Sequence, residues 1–183
     1  MRVISGKARG CKLKSPEGLK TRPTTDRIKE TLFNMIGFDI PNCYFLDLYS
    51  GSGAIGIEAL SRGAKEVTFV DNDVEAYNCI KHNLGRTRLE KNSNLYNCEI
   101  EKFMSNFSDE YKYDIIFMDP PYYEDYVKNT LNQIEKYDIL SDNGYIVIEK
   151  ATELPEINVE GFVKWKEKSF RTTTMIFMVR QES

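Results

Sequence analysis

A chain of 183 residues with a 41% apolar fraction is long enough to bury one ordinary core, and no apolar run nears the roughly 20 residues that cross a bilayer. Four scattered cysteines (Cys11, Cys43, Cys79, Cys98) without a C-x-x-C pair, and a single histidine (His82) in a polar helical stretch, argue against a zinc knuckle, a redox dithiol or a metal site. The net charge of −3 divides into +7 over residues 1–29, where nine basic side chains face Glu17 and Asp26, and −10 over the rest, with 16 basic and 26 acidic.

A basic arm on an acidic body suits an anionic partner such as nucleic acid; a merely solvated N-terminus is the plainer alternative. The N-terminus is basic and broken by glycines, unlike a signal peptide, so the chain is expected to be cytoplasmic. One domain is expected over 1–183, with a basic hairpin and helix in 1–37 and the remaining core in 43–183. Nothing demands more than a monomer.

Residues 2–15 read as two short alternating segments around Gly6 and Gly10, a hairpin with Cys11 and Leu13 inward and Lys12 and Lys14 toward water. Pro16, Gly18 and Pro23 mark a loop. Thr24 or Thr25 then caps a helix whose first turn holds Asp26. Ile28, Leu32, Met35 and Ile36 share one face of it, Arg27, Thr31 and Asn34 the other, and Gly37 ends it.

From residue 43 strands alternate with helices. The spacing predicts strands over 44–49, 66–71, 94–98, 113–119 and 145–149. Helices are predicted from 54 to about 62, from 74 to a stop at Gly85, in a turn through Phe103, and around Val127, Leu131 and Ile134. Asp142-Asn143-Gly144 reads as a turn. Beyond Pro155 two adjacent strands, 162–170 and 173–179, close the sheet as an antiparallel pair. The expected class is α/β, a mostly parallel doubly wound sheet of seven strands with an antiparallel edge hairpin.

Two stretches carry chemistry. Asp47-Leu48-Tyr49-Ser50-Gly51-Ser52-Gly53-Ala54-Ile55-Gly56 is a strand running into a glycine turn and a helix, with Asp71 twenty residues beyond Gly51. Such a loop cradles a nucleotide, and the helix opening near Ala54 is expected to aim free N–H groups into it. Asp47 repels a pyrophosphate and attracts a cation such as the ammonium and sulfonium of S-adenosylmethionine. A carboxylate that merely caps the helix is the alternative. The second stretch is Asp119-Pro120-Pro121-Tyr122 at the end of the fourth long strand. Two prolines stiffen the backbone and remove two donors, leaving a row of acceptors beside an aromatic ring. That arrangement suits gripping an exocyclic amine while the ring stacks on its base.

At these residues the chain resembles Class I S-adenosylmethionine-dependent methyltransferases, whose amine-modifying members carry a (D/N)PP(Y/F) segment. The stretch from Arg22 to Asn34, the stretch from Asp47 through Ala64, and the opening Arg2-Val3-Ile4-Ser5-Gly6 with Arg9-Gly10 narrow the resemblance to the bacterial 16S rRNA guanine-N2 methyltransferase family. The resemblance implies methylation of the N2 amine of one guanine in ribosomal RNA or an assembling small subunit, without metal. It implies that Asp119, Pro120, Pro121 and Tyr122 form the catalytic segment. Asp47, Tyr49, Ser50, Gly51, Ser52 and Gly53 would line the cofactor's methionine end. Asp71 would take its ribose, and Asn72 and Glu99 its adenine. Lys7, Arg9, Arg22, Arg27 and Lys29 are the expected RNA contacts. Other readings of the same residues are methylation of DNA adenine or of a protein glutamine, a nicotinamide oxidoreductase, and a non-catalytic RNA-binding module.

Overall fold

The computed structural model describes residues 1–16, 26–106, 111–121, 124–154 and 156–181. Helix α1 (Asp26–Ile36) precedes an alternation of β1 (Tyr44–Leu48), α2 (Ala54–Ser61), β2 (Glu66–Asp71), α3 (Val74–Thr87), β3 (Ser93–Asn97), α4 (Ile100–Ser105), β4 (Tyr113–Met118), α5 (Glu124–Lys136) and β5 (Leu140–Ala151). The chain closes with β6 (Phe162–Ser169) and β7 (Thr173–Arg180). One seven-stranded sheet results, in the order β3-β2-β1-β4-β5-β7-β6. Its first five members are parallel, and β7 lies antiparallel between β5 and β6. The order reverses between β1 and β4, where an open α/β sheet leaves a crevice beyond its strand ends.

The strands are apolar on both faces because helices cover both. Phe45, Val67, Phe69, Ile115, Phe117, Tyr145 and Val147 meet α1, α2 and α3 on one side. Their neighbours Leu46, Leu48, Val70, Ile116, Met118, Ile146 and Ile148 meet α4 and α5 on the other. Alternating residues of a strand thus feed two separate cores.

Three expectations are corrected. The 74–85 helix runs through Gly85 to Thr87 and ends where Arg88 takes a left-handed conformation, φ 58°. The Asp142-Asn143-Gly144 segment is not a free turn. It lies within β5 as an irregularity, because Leu140 already pairs beside Tyr113 before Tyr145 takes up the register beside Ile115. The N-terminal hairpin is reduced to one antiparallel bridge, Arg2 to Lys12, with the chain closed by hydrogen bonds such as Val3 N–H to the Cys11 carbonyl at 2.9 Å. Leu13 is buried as expected, and Lys12 and Lys14 are exposed. The proposed caps Thr24 and Thr25 lie outside the described residues.

The arm is fastened to α2 rather than lying free. Glu58, fully buried on α2, accepts the Ile4 and Ser5 amides at 2.7 and 2.9 Å and the Arg62 Nε at 2.8 Å. Lys29 approaches it at 3.4 Å and donates to the Arg2 carbonyl at 2.6 Å. Ser61 accepts the Lys7 amide on its carbonyl and the Ala8 amide on its hydroxyl, at 2.7 and 2.9 Å. Farther along, Asn83 of α3 accepts the Lys14 amide at 2.8 Å and donates to the Ser52 carbonyl at 2.9 Å.

Candidate active site

The apolar rows of the sheet end in acids. On the face covered by α1, α2 and α3, a two-residue step carries Phe45 to Asp47, Phe69 to Asp71, Phe117 to Asp119 and Val147 to Glu149. These are four neighbouring strands, in the spatial order β2, β1, β4, β5. Asp47 lies level with Phe69 and Phe117, while Asp71 and Glu149 stand two residues beyond that level and Asp119 follows directly after β4. The carboxylates therefore gather at the carboxyl ends of the strands, at the topological switch point.

Burial sets their electrostatics. Asp47 is 1% exposed, and desolvation pushes its carboxyl far above the ordinary range. The Gly56 N–H opposes this at 2.9 Å, and the charge of Asp71 reinforces it. Asp119 is pushed up in the same way, first by burial and then by the charges of Glu149 and Asp47. Asp71 is raised by burial against the pull of the Asp73 and Gly51 amides, both bonded to it. Side chains held this way gain by receiving a cation.

The glycine turn is shaped for contact, but the amides of its glycines are already used. Gly51 has φ +53° with open space where a Cβ would stand, so the main chain there is bare. At Gly56 a Cβ would meet the Phe69 ring at 2.3 Å, so only glycine lets α2 settle on β2. The Gly51 N–H ends on Asp71 at 2.8 Å, the Gly53 N–H on the Ser50 carbonyl at 2.7 Å, and the Gly56 N–H on Asp47. The expectation of free N–H groups aimed into the cradle therefore does not hold for these three glycines. Their commitment also weakens the dinucleotide reading, since a pyrophosphate at such a loop depends on those donors. Asp47 does cap the helix, while standing in the row of acids as well.

Each sequence-predicted residue can now be located. Asp47, Gly51, Ser52, Gly53, Asp71 and Asn72 lie at the ends of β1 and β2, and Asn72 donates to Glu99 at 2.9 Å just before α4. Ser50 is buried and stitches β1 to β2, accepting the Val70 amide at 3.0 Å. Tyr49 has φ 58° and sends its hydroxyl to Thr130 of α5 at 2.7 Å, so only its backbone belongs to the loop. Pro120 is buried and Pro121 exposed; Tyr122 and Arg22 lie outside the described residues. Lys7, Arg9 and Arg27 are exposed.

Lys29 must be withdrawn as an RNA contact. It is 0% exposed and committed to Glu58 and Arg2. Glu149 carries no motif that singles it out in the sequence, although the alternation Tyr145, Val147, Glu149 places it on the same face as its two apolar predecessors. Among the described residues no group of three or more His, Cys, Asp or Glu is arranged to hold a metal, and no helix is long and apolar enough to cross a membrane. Two surface cavities of about 600 and 590 Å³ are lined by residues of the opposite face, among them Phe162 with Ile176 and Phe103 with Tyr113.

A mostly parallel sheet with this strand order, a glycine turn after β1 and an Asp-Pro-Pro segment after β4 define the Rossmann-like fold of Class I methyltransferases. Comparison with known proteins gives the particular group: residues 1–179 match the family described as Conserved hypothetical protein 95, and the chain belongs to it. It is 44% identical to YlbH of Bacillus subtilis over 159 residues, covering 85% of this chain and 86% of that protein. It is 35% identical to Ribosomal RNA small subunit methyltransferase D of Haemophilus influenzae over 172 residues, or 92% and 88% of the two chains. Among solved structures, yhhF from Escherichia coli matches with a TM-score of 0.87 at 33% identity, covering 99% of this chain and 98% of that one. The resemblance read from the separated motifs is borne out at the level of the family.

Proposed function

We propose that this protein is an S-adenosylmethionine-dependent methyltransferase acting on the exocyclic N2 amine of one guanine in small-subunit ribosomal RNA. The observation that carries this reading is the juxtaposition of Asp119, followed by Pro120 and Pro121, with Asp47 and the glycine turn at one end of the sheet. Relatives named as ribosomal RNA small subunit methyltransferases match across most of the chain and support it.

The residues present fit the cofactor. Asp47, raised by burial and by the charge of Asp71, favours the sulfonium and ammonium, and the bare backbone at Gly51 allows close approach. Asp47 and the turn through Gly53 would hold the methionine end, Asp71 the ribose hydroxyls, and Asn72 with Glu99 the adenine side. When bound, the cofactor supplies an electrophilic methyl group. Asp119 and the proline carbonyls accept hydrogen bonds from the amine and favour the positive charge that grows on it. Tyr122 follows directly in sequence as the stacking ring. The enzyme's contribution is chiefly orientation.

Exposed Lys7, Arg9 and Arg27 supply phosphate contacts that set the register of the RNA. Replacing Arg9 and Arg27 by glutamine should weaken RNA binding and reduce the slope of log K against log salt by roughly 0.7–0.9 for each phosphate no longer neutralised. An unchanged slope in a filter-binding titration removes those two side chains from the interface. The function itself is tested by mass-spectrometric mapping of methylated guanines in ribosomal RNA from cells lacking the gene. One N2-methylguanine in the small subunit should vanish and return on complementation. A complete methylation pattern in the deletion strain overturns the reading.

A further inference from the structure

The row of acids contains one member to which neither the cofactor nor the amine grip gives a role. Glu149 is 8% exposed and sits on β5, immediately beside β4. Met118 pairs with Ile148, so the next residues along, Asp119 and Glu149, start from adjacent backbones about 4.8 Å apart, the spacing of neighbouring strands. The alternation of both strands sends their side chains to the same face, since Phe117 and Val147 lie in the same core cluster. The charge of Glu149 is the largest acting on Asp119.

We infer that Glu149 accepts the N1–H of the target guanine while Asp119 holds its N2 amine, so that β5 reads which purine is presented. This rests on the proposed function and deepens it. The Watson–Crick edge of guanine offers two donors side by side, N1–H and the 2-amine. Two acceptor carboxylates on neighbouring strands complement such a pair. An adenine at the same place presents its exocyclic amine beside a bare ring nitrogen, whose lone pair would face the second carboxylate. A buried acceptor facing an acceptor loses a hydrogen bond to a charged group and gains a repulsion. Asp119 then chooses an amine, and Glu149 chooses the ring to which it is attached.

The test replaces the guanine identified by mapping with 2-aminopurine, introduced by splinted ligation into otherwise identical small-subunit ribosomal RNA. This base keeps the 2-amine and lacks the hydrogen at N1. Wild-type protein should prefer guanine by on the order of 100-fold in kcat/KM. In Glu149→Gln the side-chain amide can turn to accept from N1–H or donate to bare N1, so the preference should collapse to within about threefold. A residue with a purely structural role would lower both rates and leave their ratio alone. Equal wild-type rates on the two RNAs overturn the inference without any variant, as does a ratio unchanged in Glu149→Gln. If wild-type protein methylates no guanine in the unaltered RNA, it is the functional reading that fails.

Discussion

Replacing Asp119 by alanine is expected to lower methyl transfer to ribosomal RNA by on the order of 10³-fold while leaving S-adenosylmethionine affinity within about threefold of wild type. The side chain stands at the end of β4 as the one ionisable acceptor of the Asp-Pro-Pro segment, so its loss removes charge stabilisation from the amine when that amine becomes cationic. Asparagine at the same position keeps one carbonyl acceptor, and a smaller loss, roughly tenfold, should follow. Single-turnover assays with labelled cofactor, alongside calorimetry of cofactor binding, measure the two quantities separately. A fully active Asp119→Ala protein would remove the assigned role.

The pH profile carries a matching signature. Asp119 offsets the positive charge growing on the amine only when ionised, and burial together with Glu149 and Asp47 pushes its carboxyl well above the ordinary carboxylate range. The kcat/KM profile should therefore rise with pH through a limb displaced to the alkaline side of that range, and Asp119→Asn should flatten it. The same raised groups act on stability in the opposite sense. Asp47, Asp71 and Asp119 hold protons more tightly folded than unfolded, so the unliganded protein loses stability as pH climbs from the unfolded carboxylate value through the raised ones. A bound cation relieves this.

The largest expected effect on stability lies away from the chemistry, at Glu58. This carboxylate is fully buried and gathers two arm amides, Arg62 and the fully buried Lys29. Glu58→Ala strands Lys29 as an uncompensated cation in the core, a type of loss that costs about 3–5 kcal/mol. That is a large share of the roughly 5–15 kcal/mol that holds a domain together. Burial already lowers the affinity of Lys29 for its proton, with Glu58 opposing, so the variant lowers it further. The folded state then binds fewer protons than the unfolded one, and the lost stability should partly return as pH rises toward the ordinary lysine value. Adding Lys29→Met to Glu58→Ala should also recover most of it, because an apolar pair in place of a buried ion pair is often neutral. Urea unfolding of the single and double variants at two pH values decides the matter. A double variant no more stable than Glu58→Ala would show that the stranded cation is not the cause.

The same two residues mark where the sequence stops being legible. The strand-and-helix rhythm from residue 43 can be read because each strand has its own apolar run, and β2 falls at the expected bounds, Glu66–Asp71. Asp47 and Asp119 stand out because their apolar runs lead into glycines or prolines, and Asp71 because it ends a run twenty residues beyond Gly51. Lys29 misleads because it shares the basic arm's composition. Its helical neighbours Phe33 and Ile36, at i+4 and i+7, are buried, and they place it on the inward face. Its partner Glu58 is the lone acid in α2, whose every residue is buried. A single charge in an apolar helix asks for a buried counter-ion, but only the fold says which. Glu149 escapes notice for a related reason. It lies near the end of β5 without a motif, and its importance comes from β4 lying next to it.

The anchoring of residues 1–16 bears on how this chain can be cut and recombined. Val3 and Leu13 are 1% and 7% exposed, and Glu58, Ser61 and Asn83 all spend hydrogen bonds on this segment. A chain trimmed at its N-terminus would not be a compact catalyst blind to RNA. It would open the inner surface of α2 to water and leave two buried charges without their backbone partners. The segment is thus not a detachable module, and a chimera that borrows it from a homologue must also borrow the matching side chains of α1, α2 and α3.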